Sequence, residues 1–180
     1  MFYFLIISLA IEFSFRLFIE IREIKIFSRY NPLAWARLIP IVNDFVPIPE
    51  TREPISESPF VRFHEEAHSK NKHNLKRLFI KTLFALSMLY CFIYFKMNLW
   101  NFVIFFHSML FYLQIPYHWY LWQQEISADT YAQKKTSKNK AKKELENLLK
   151  QEIPYSSLFA LFYREHPPAR LRLSATQKIK

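Results

Sequence analysis

Glycine is absent from this chain of 180 residues. Without it the chain cannot build the glycine-rich phosphate loop, the dinucleotide-binding turn or the glycine-flanked serine elbow, because each needs backbone where a Cβ would clash. Cysteine is almost absent as well. A single one, Cys91, excludes a disulfide framework and a zinc site built on thiolates. Acids are scarce: 15 Asp and Glu stand against 25 Lys and Arg, for a net charge of +10. Yet 51% of the residues are hydrophobic and 18% aromatic, with 19 Phe. A soluble domain of this size seldom combines those values. The apolar and basic residues must be segregated along the chain, and they are. The length itself suits one domain rather than two.

Three apolar stretches stand out. The first runs from Met1 to about Phe18, interrupted by Glu12 and Arg16. The second, Leu78 to Phe95, carries only the charge of Lys81, and the third, Leu99 to Trp122, carries none. Crossing a bilayer takes roughly 20 apolar residues, and the second and third stretches qualify. Only Lys96-Met97-Asn98 separates them, so a tight antiparallel hairpin over about 78–122 is expected. Trp100 opens the third stretch and Trp119 and Trp122 close it, about 30 Å apart along a helix, as suits indoles at two membrane interfaces. Pro116 is expected to kink that helix. In the first stretch Glu12, Arg16 and Glu20 share one helical face, with neighbours able to pair. Residues 1–21 read as a transmembrane or interfacial helix, with no secretory signal.

Lys and Arg are retained on the cytoplasmic side of a membrane. Arg62, Lys70, Lys72, Lys76, Arg77 and Lys81 flank the hairpin on one side, and Lys134, Lys135, Lys138, Lys140, Lys142, Lys143 and Lys150 on the other. Both flanks are expected in the cytoplasm. A first stretch that also crosses would start outside. The lysine run beside a membrane favours anionic headgroups over nucleic acid, and no nucleic-acid partner is expected.

Residues 22–59 form a Pro-rich segment that excludes a long helix. Extended chain is expected there, with Arg37 to Ile48 as an edge strand. From Phe60 a helix is expected through Lys76, continuing into the second stretch. Residues 133–140 read as a solvated linker and 140–150 as a helix.

Within the helix from Phe60 lies His64-Glu65-Glu66-Ala67-His68. Residues four apart on a helix lie about 40° apart around its axis, so both imidazoles can reach one metal ion. Glu65 points beside that ion and can take a proton from its water. Chance alone would give the pattern in roughly one or two chains per hundred of this composition. Catalytic zinc keeps three protein ligands. Cys91, inside a span, is a poor third. Glu125 is the best, since the hairpin returns the chain to the side of the membrane where His64 and His68 lie. Asp129, four residues on, can accept a proton from a liganding imidazole and fix its tautomer. His73 reads as solvated among lysines, His118 as interfacial, and His107 as facing other helices. On its own, His166-Pro167-Pro168 reads as a rigid turn capping a helix.

HExxH, a membrane hairpin, then Glu125-Ile126-Ser127-Ala128-Asp129, and finally Arg164-Glu165-His166-Pro167-Pro168-Ala169-Arg170-Leu171-Arg172 resemble, in that order, the membrane zinc metallopeptidases of the HtpX and CAAX prenyl protease type. The resemblance covers about residues 60–175. It departs from the family at Ala67, where glycine is frequent, and in the short chain between Glu125 and His166. It implies a mainly α fold, an integral membrane zinc metallopeptidase over 60–180, with one Zn2+ per chain. His64, His68 and Glu125 would bind the zinc, Glu65 would be the base, and Asp129 would support a ligand. His166 and Arg172 would face the substrate and stabilise the oxyanion. The expected function is an endopeptidase acting on protein or peptide substrates, membrane proteins among them. It would sit in the cell membrane as a multi-pass protein, with its active site on the cytoplasmic side. The alternative is a non-catalytic membrane adaptor whose basic segments bind lipid or a protein partner.

Overall fold

The structure is a computed structural model that describes residues 2–27, 39, 58–152 and 157–177. Among these residues every regular element is a helix: α1 (Phe2–Phe27), α2 (Pro59–Lys70), α3 (His73–Tyr94), α4 (Leu99–Lys135), α5 (Lys138–Gln151), α6 (Ser157–Tyr163) and α7 (Ala169–Gln177). The edge strand expected over Arg37 to Ile48 lies, apart from Ile39, outside the described residues. The chain divides into two compact units, one of Met1–Glu53 with Met88–Tyr112 and one of Pro54–Ser87 with Leu113–Lys180.

Helix boundaries differ from expectation at three places, the first being α1, which runs on to Phe27, into the segment expected to be extended. The helix from Phe60 does not run on through Lys76: it ends at Lys70, and α3 begins at His73. Lys72 sits between them at φ 53°, its N–H bonded to the Ser69 carbonyl at 3.1 Å. That left-handed residue closes the last turn of α2 and redirects the chain. The expected linker at 133–140 is nearly all helix. α4 continues to Lys135, and Ser137 caps α5 by accepting from Lys140 N–H at 3.2 Å. The hairpin turn is built like the break at Lys72. Lys96, at φ 48°, donates to the Ile93 carbonyl and Met97 to that of Phe92, both at 3.2 Å. Asn98 then caps α4 by accepting from Asn101 N–H at 2.8 Å. α4 runs through Pro116 without ending.

α3 and α4 are both long and apolar enough to cross a membrane. Their most apolar windows are only 6% and 11% buried, whereas the core helices of a soluble protein would be covered. Leu78, Phe79, Ile93, Tyr94, Leu99 and Trp100 are all exposed.

Within the first unit, a polar seam joins α1 to the start of α4. Glu12 is buried, at 1% exposure. Its Oε1 accepts from Arg16 Nε at 2.9 Å and Nη2 at 2.6 Å, as the four-residue spacing implies, and its Oε2 lies 2.5 Å from His107 Nε2. His107 therefore faces another helix, as expected. Ser8 Oγ meets Tyr112 Oη at 3.3 Å. Going back along α1 from Glu12 to Ser8 goes forward along α4 from His107 to Tyr112, so the two helices run antiparallel.

The core of the second unit is small and built on close approach. Phe60 of α2, Ala132 of α4 and Ala141 and Leu145 of α5 are buried together, with Phe63 and Leu173 packed against them. Ala141 and Leu145 are one turn apart, which fixes the inward face of an otherwise charged helix. Truncating Leu145 to Ala should cost about 2–5 kcal/mol through the cavity it leaves. A chemical-unfolding curve in detergent checks this, with the midpoint of Leu145→Ala falling well below that of Leu149→Ala, at a half-exposed position of the same helix.

Candidate metal centre

The site grows from the start of α2. Ser58 caps the helix by accepting from Val61 N–H at 3.3 Å, and Pro59 follows in the first turn, where its missing N–H costs nothing. Counting from that cap, Phe60, His64, Ala67 and His68 share the buried face and Glu65 is exposed. On α4, Glu125 and Asp129 are one turn apart and buried, at 2% and 0% exposure.

These two faces meet. His64 Nε2 lies 3.1 Å from His68 Nε2 and 3.3 Å from Glu125 Oε2, and His68 Nε2 lies 3.3 Å from Glu125 Oε1. Two atoms that each sit about 2.0–2.1 Å from one tetrahedral ion are about 3.3 Å apart. Two imidazole nitrogens and a carboxylate at that spacing form a donor set that suits zinc. Each of the three residues offers a ligand atom, and all these atoms lie within 4.8 Å of one another.

The surrounding groups fix each of these side chains. Asp129 Oδ1 takes His64 Nδ1 at 2.9 Å, and its two oxygens are gripped by Arg172, through Nε at 2.7 Å and Nη2 at 2.6 Å. Arg172 thus commits two nitrogens to Asp129. Arg77 Nη2 reaches Glu125 Oε1 at 3.0 Å while its Nε donates to Gln124 at 2.8 Å. His166 Nδ1 stands 3.0 Å from Glu125 Oε2, its side chain 39% exposed. His73, expected to be solvated, is buried, and its Nδ1 lies 2.9 Å from Nδ1 of His68.

The segment carrying His166 is tied down by groups the motifs did not announce. Glu152 accepts from Ala169 N–H at 2.6 Å and pairs with Arg164. Trp122 donates its indole N–H to the Arg164 carbonyl at 3.0 Å, and His118 Nδ1 donates to that of Leu161 at 2.7 Å. Trp122 and His118 are therefore buried anchors for this segment, not members of an interfacial belt. Trp100 and Trp119 remain exposed.

Charge follows from the packing. Burial opposes the imidazolium of His64, but hydrogen bonds to Asp129 and Glu125 outweigh it and push its pKa up to about 9. Burial dominates at His68 and lowers it, reinforced by the charges of His64 and Arg77 against the pull of Glu125. Burial would raise Glu125 and Asp129, yet their basic partners hold both well below the ordinary carboxylate range: His166 and His64 around Glu125, Arg172 and His64 around Asp129.

A buried site of two histidines and a glutamate, with a further glutamate exposed beside the first histidine, is the arrangement of a metallopeptidase. The chain matches the family model described as Peptidase family M48 over residues 55–180 and belongs to that family. No curated protein and no solved structure matches it.

A ligand imidazole must be neutral, so metal has to displace the His64 proton. That proton stabilises the metal-free fold fully below the ordinary histidine value of about 6.5, and the contribution is lost as pH rises through about 9. Metal affinity should therefore climb by about tenfold per pH unit between neutrality and that pKa, then level off. Competition against a chromophoric chelator at a series of pH values reads this directly. A flat profile across the interval would contradict it.

Proposed function

We propose that this chain is a zinc-dependent endopeptidase held in a membrane by the α3–α4 hairpin, with its site on the cytoplasmic side. The observation that carries the reading is the convergence of His64 Nε2, His68 Nε2 and the Glu125 carboxylate at tetrahedral spacing. A membrane adaptor, in which a metal would be absent or purely structural, has no use for the exposed Glu65 beside that cluster. Membership of a peptidase family supports the chemistry. The uncovered apolar faces of α3 and α4 support the membrane, and the basic flanks support the side.

His64, His68 and Glu125 would hold the zinc. Bound there, it would act as a Lewis acid that polarises the scissile carbonyl and lowers the pKa of water toward neutrality. Glu65, exposed beside His64, takes the proton of the attacking water and delivers it to the leaving amine. His166, half-exposed at the edge of the site, donates to the oxygen on which negative charge develops. Arg172, with two nitrogens on Asp129, holds that carboxylate, which in turn holds His64 with its Nε2 inward. Glu125 and Asp129 lie within about two turns of Trp122, where the apolar stretch of α4 ends, so the site would sit about 5–10 Å beyond that point. A peptide segment lying close to the bilayer suits that height.

Replacing Glu65 by Gln should leave zinc stoichiometry unchanged and lower cleavage of casein by about 10²–10⁴-fold or more. Undiminished cleavage would mean that another group is the base. Replacing Glu125 by Ala should empty the site, measured by elemental analysis of the purified protein. Full zinc content in that variant would remove Glu125 from the ligand set.

A further inference from the structure

His73 takes no part in the chemistry above, yet it is 4% exposed and its ring packs edge-on against that of His68, with centroids 4.8 Å apart. In a continuous helix, residues five apart point about 140° away from each other. His68 and His73 would then face different sides, and the sequence alone suggests nothing else. The break at Asn71 and Lys72 changes that. With Lys72 at φ 53°, α3 starts in a new direction and its first residue turns back onto the last turn of α2. A left-handed lysine is disfavoured relative to a right-handed one, because its Cβ crowds the following carbonyl, so the turn is maintained against a local preference. Such strain is informative where it places a side chain on a functional group.

His68 presents Nε2 to His64 and Glu125, so in the neutral ring that a metal requires, the proton is on Nδ1. That N–H needs an acceptor, and the atom at 2.9 Å is His73 Nδ1. His64 has the same arrangement with Asp129, and Glu125 has it with Arg77. We propose that His73 is a positioning residue of the metal centre, accepting the Nδ1–H of His68 and so fixing both the tautomer and the ring angle of that ligand. Because His73 is the first residue of α3, and Arg77 lies one turn further on, the head of a hairpin helix steadies two of the three ligands. The inference rests on the metal reading above.

The test uses the full chain in detergent, stripped of metal, with zinc affinity measured by chelator competition. His73→Leu should weaken zinc by about 10–100-fold, the usual effect of losing such a partner. His73→Asn places an amide oxygen near the position of Nδ1 and should recover affinity to within about threefold of wild type. Metal-free melting temperatures would show whether either variant is merely less folded. Wild-type affinity in His73→Leu, or an Asn variant as weak as the Leu variant, overturns the inference. In the zinc-loaded wild type labelled with ¹⁵N-histidine, a coupling across the hydrogen bond between the two Nδ1 atoms is expected. Its absence from a protonated His68 Nδ1 overturns the inference without any variant. A wild type that takes up no zinc at all instead removes the metal reading itself, and His73 with it.

Discussion

A carboxylate shut away from water needs opposite charge around it, and Glu125 is where this chain meets that demand. At 2% exposure it is approached by His64 and His68 from α2, Arg77 from α3 and His166 from the segment ahead of α7. Three separate stretches of chain are thereby drawn to one side chain of α4. Asp129, one turn on, repeats the principle with His64 and Arg172. Burying either acid without these partners would cost several kcal/mol. The site and the fold of its unit are therefore one constraint. The same contacts that neutralise the two acids also set the histidine nitrogens at metal-ligand spacing.

The absence of glycine shapes how the helices are joined. Reversals that most chains assign to glycine fall to Lys72 and Lys96, both in the left-handed region. Each closes the end of a helix by donating to a carbonyl three residues back, and each is followed within a few residues by a new helix start. At Lys96 this yields the tight hairpin turn. At Lys72 it yields the contact between His68 and His73. Small residues elsewhere compensate for the missing glycine: Ala67, Ala128 and Ala132, on the helices that carry His64, His68, Glu125 and Asp129, are fully buried. Ala67, the departure from the resembled family, fits a helix interior without strain.

What could be read from the sequence follows the range of the signal. HExxH is a local pattern on a single helix, and its two histidines indeed share a buried face. Hydropathy marked α3 and α4 because uninterrupted apolar runs need no tertiary context. Joining them placed Glu125 near the histidines. The helix break at Lys72 was invisible, since lysine carries no turn signal. In sequence His73 therefore reads as solvated and Arg77 only as a charge setting topology, whereas the structure buries the one and pairs the other with Glu125. The lysines of 133–140 read as a linker, although Ser137 is an ordinary cap signal that separates two helices. Trp122 and His118 read as a membrane boundary because their partners, the carbonyls of Arg164 and Leu161, are some forty residues away in sequence. Glu152 carries no motif at all, and only the packing shows it anchoring the start of α7.

The most direct measurement is X-ray absorption at the zinc edge on the purified, zinc-loaded chain. Two imidazole nitrogens and carboxylate oxygen at about 2.0–2.2 Å are expected in a four-coordinate shell, with no sulfur. A sulfur at about 2.3 Å, which only Cys91 or a methionine could supply, or a shell without two imidazoles, would contradict the claim that His64, His68 and Glu125 form the centre.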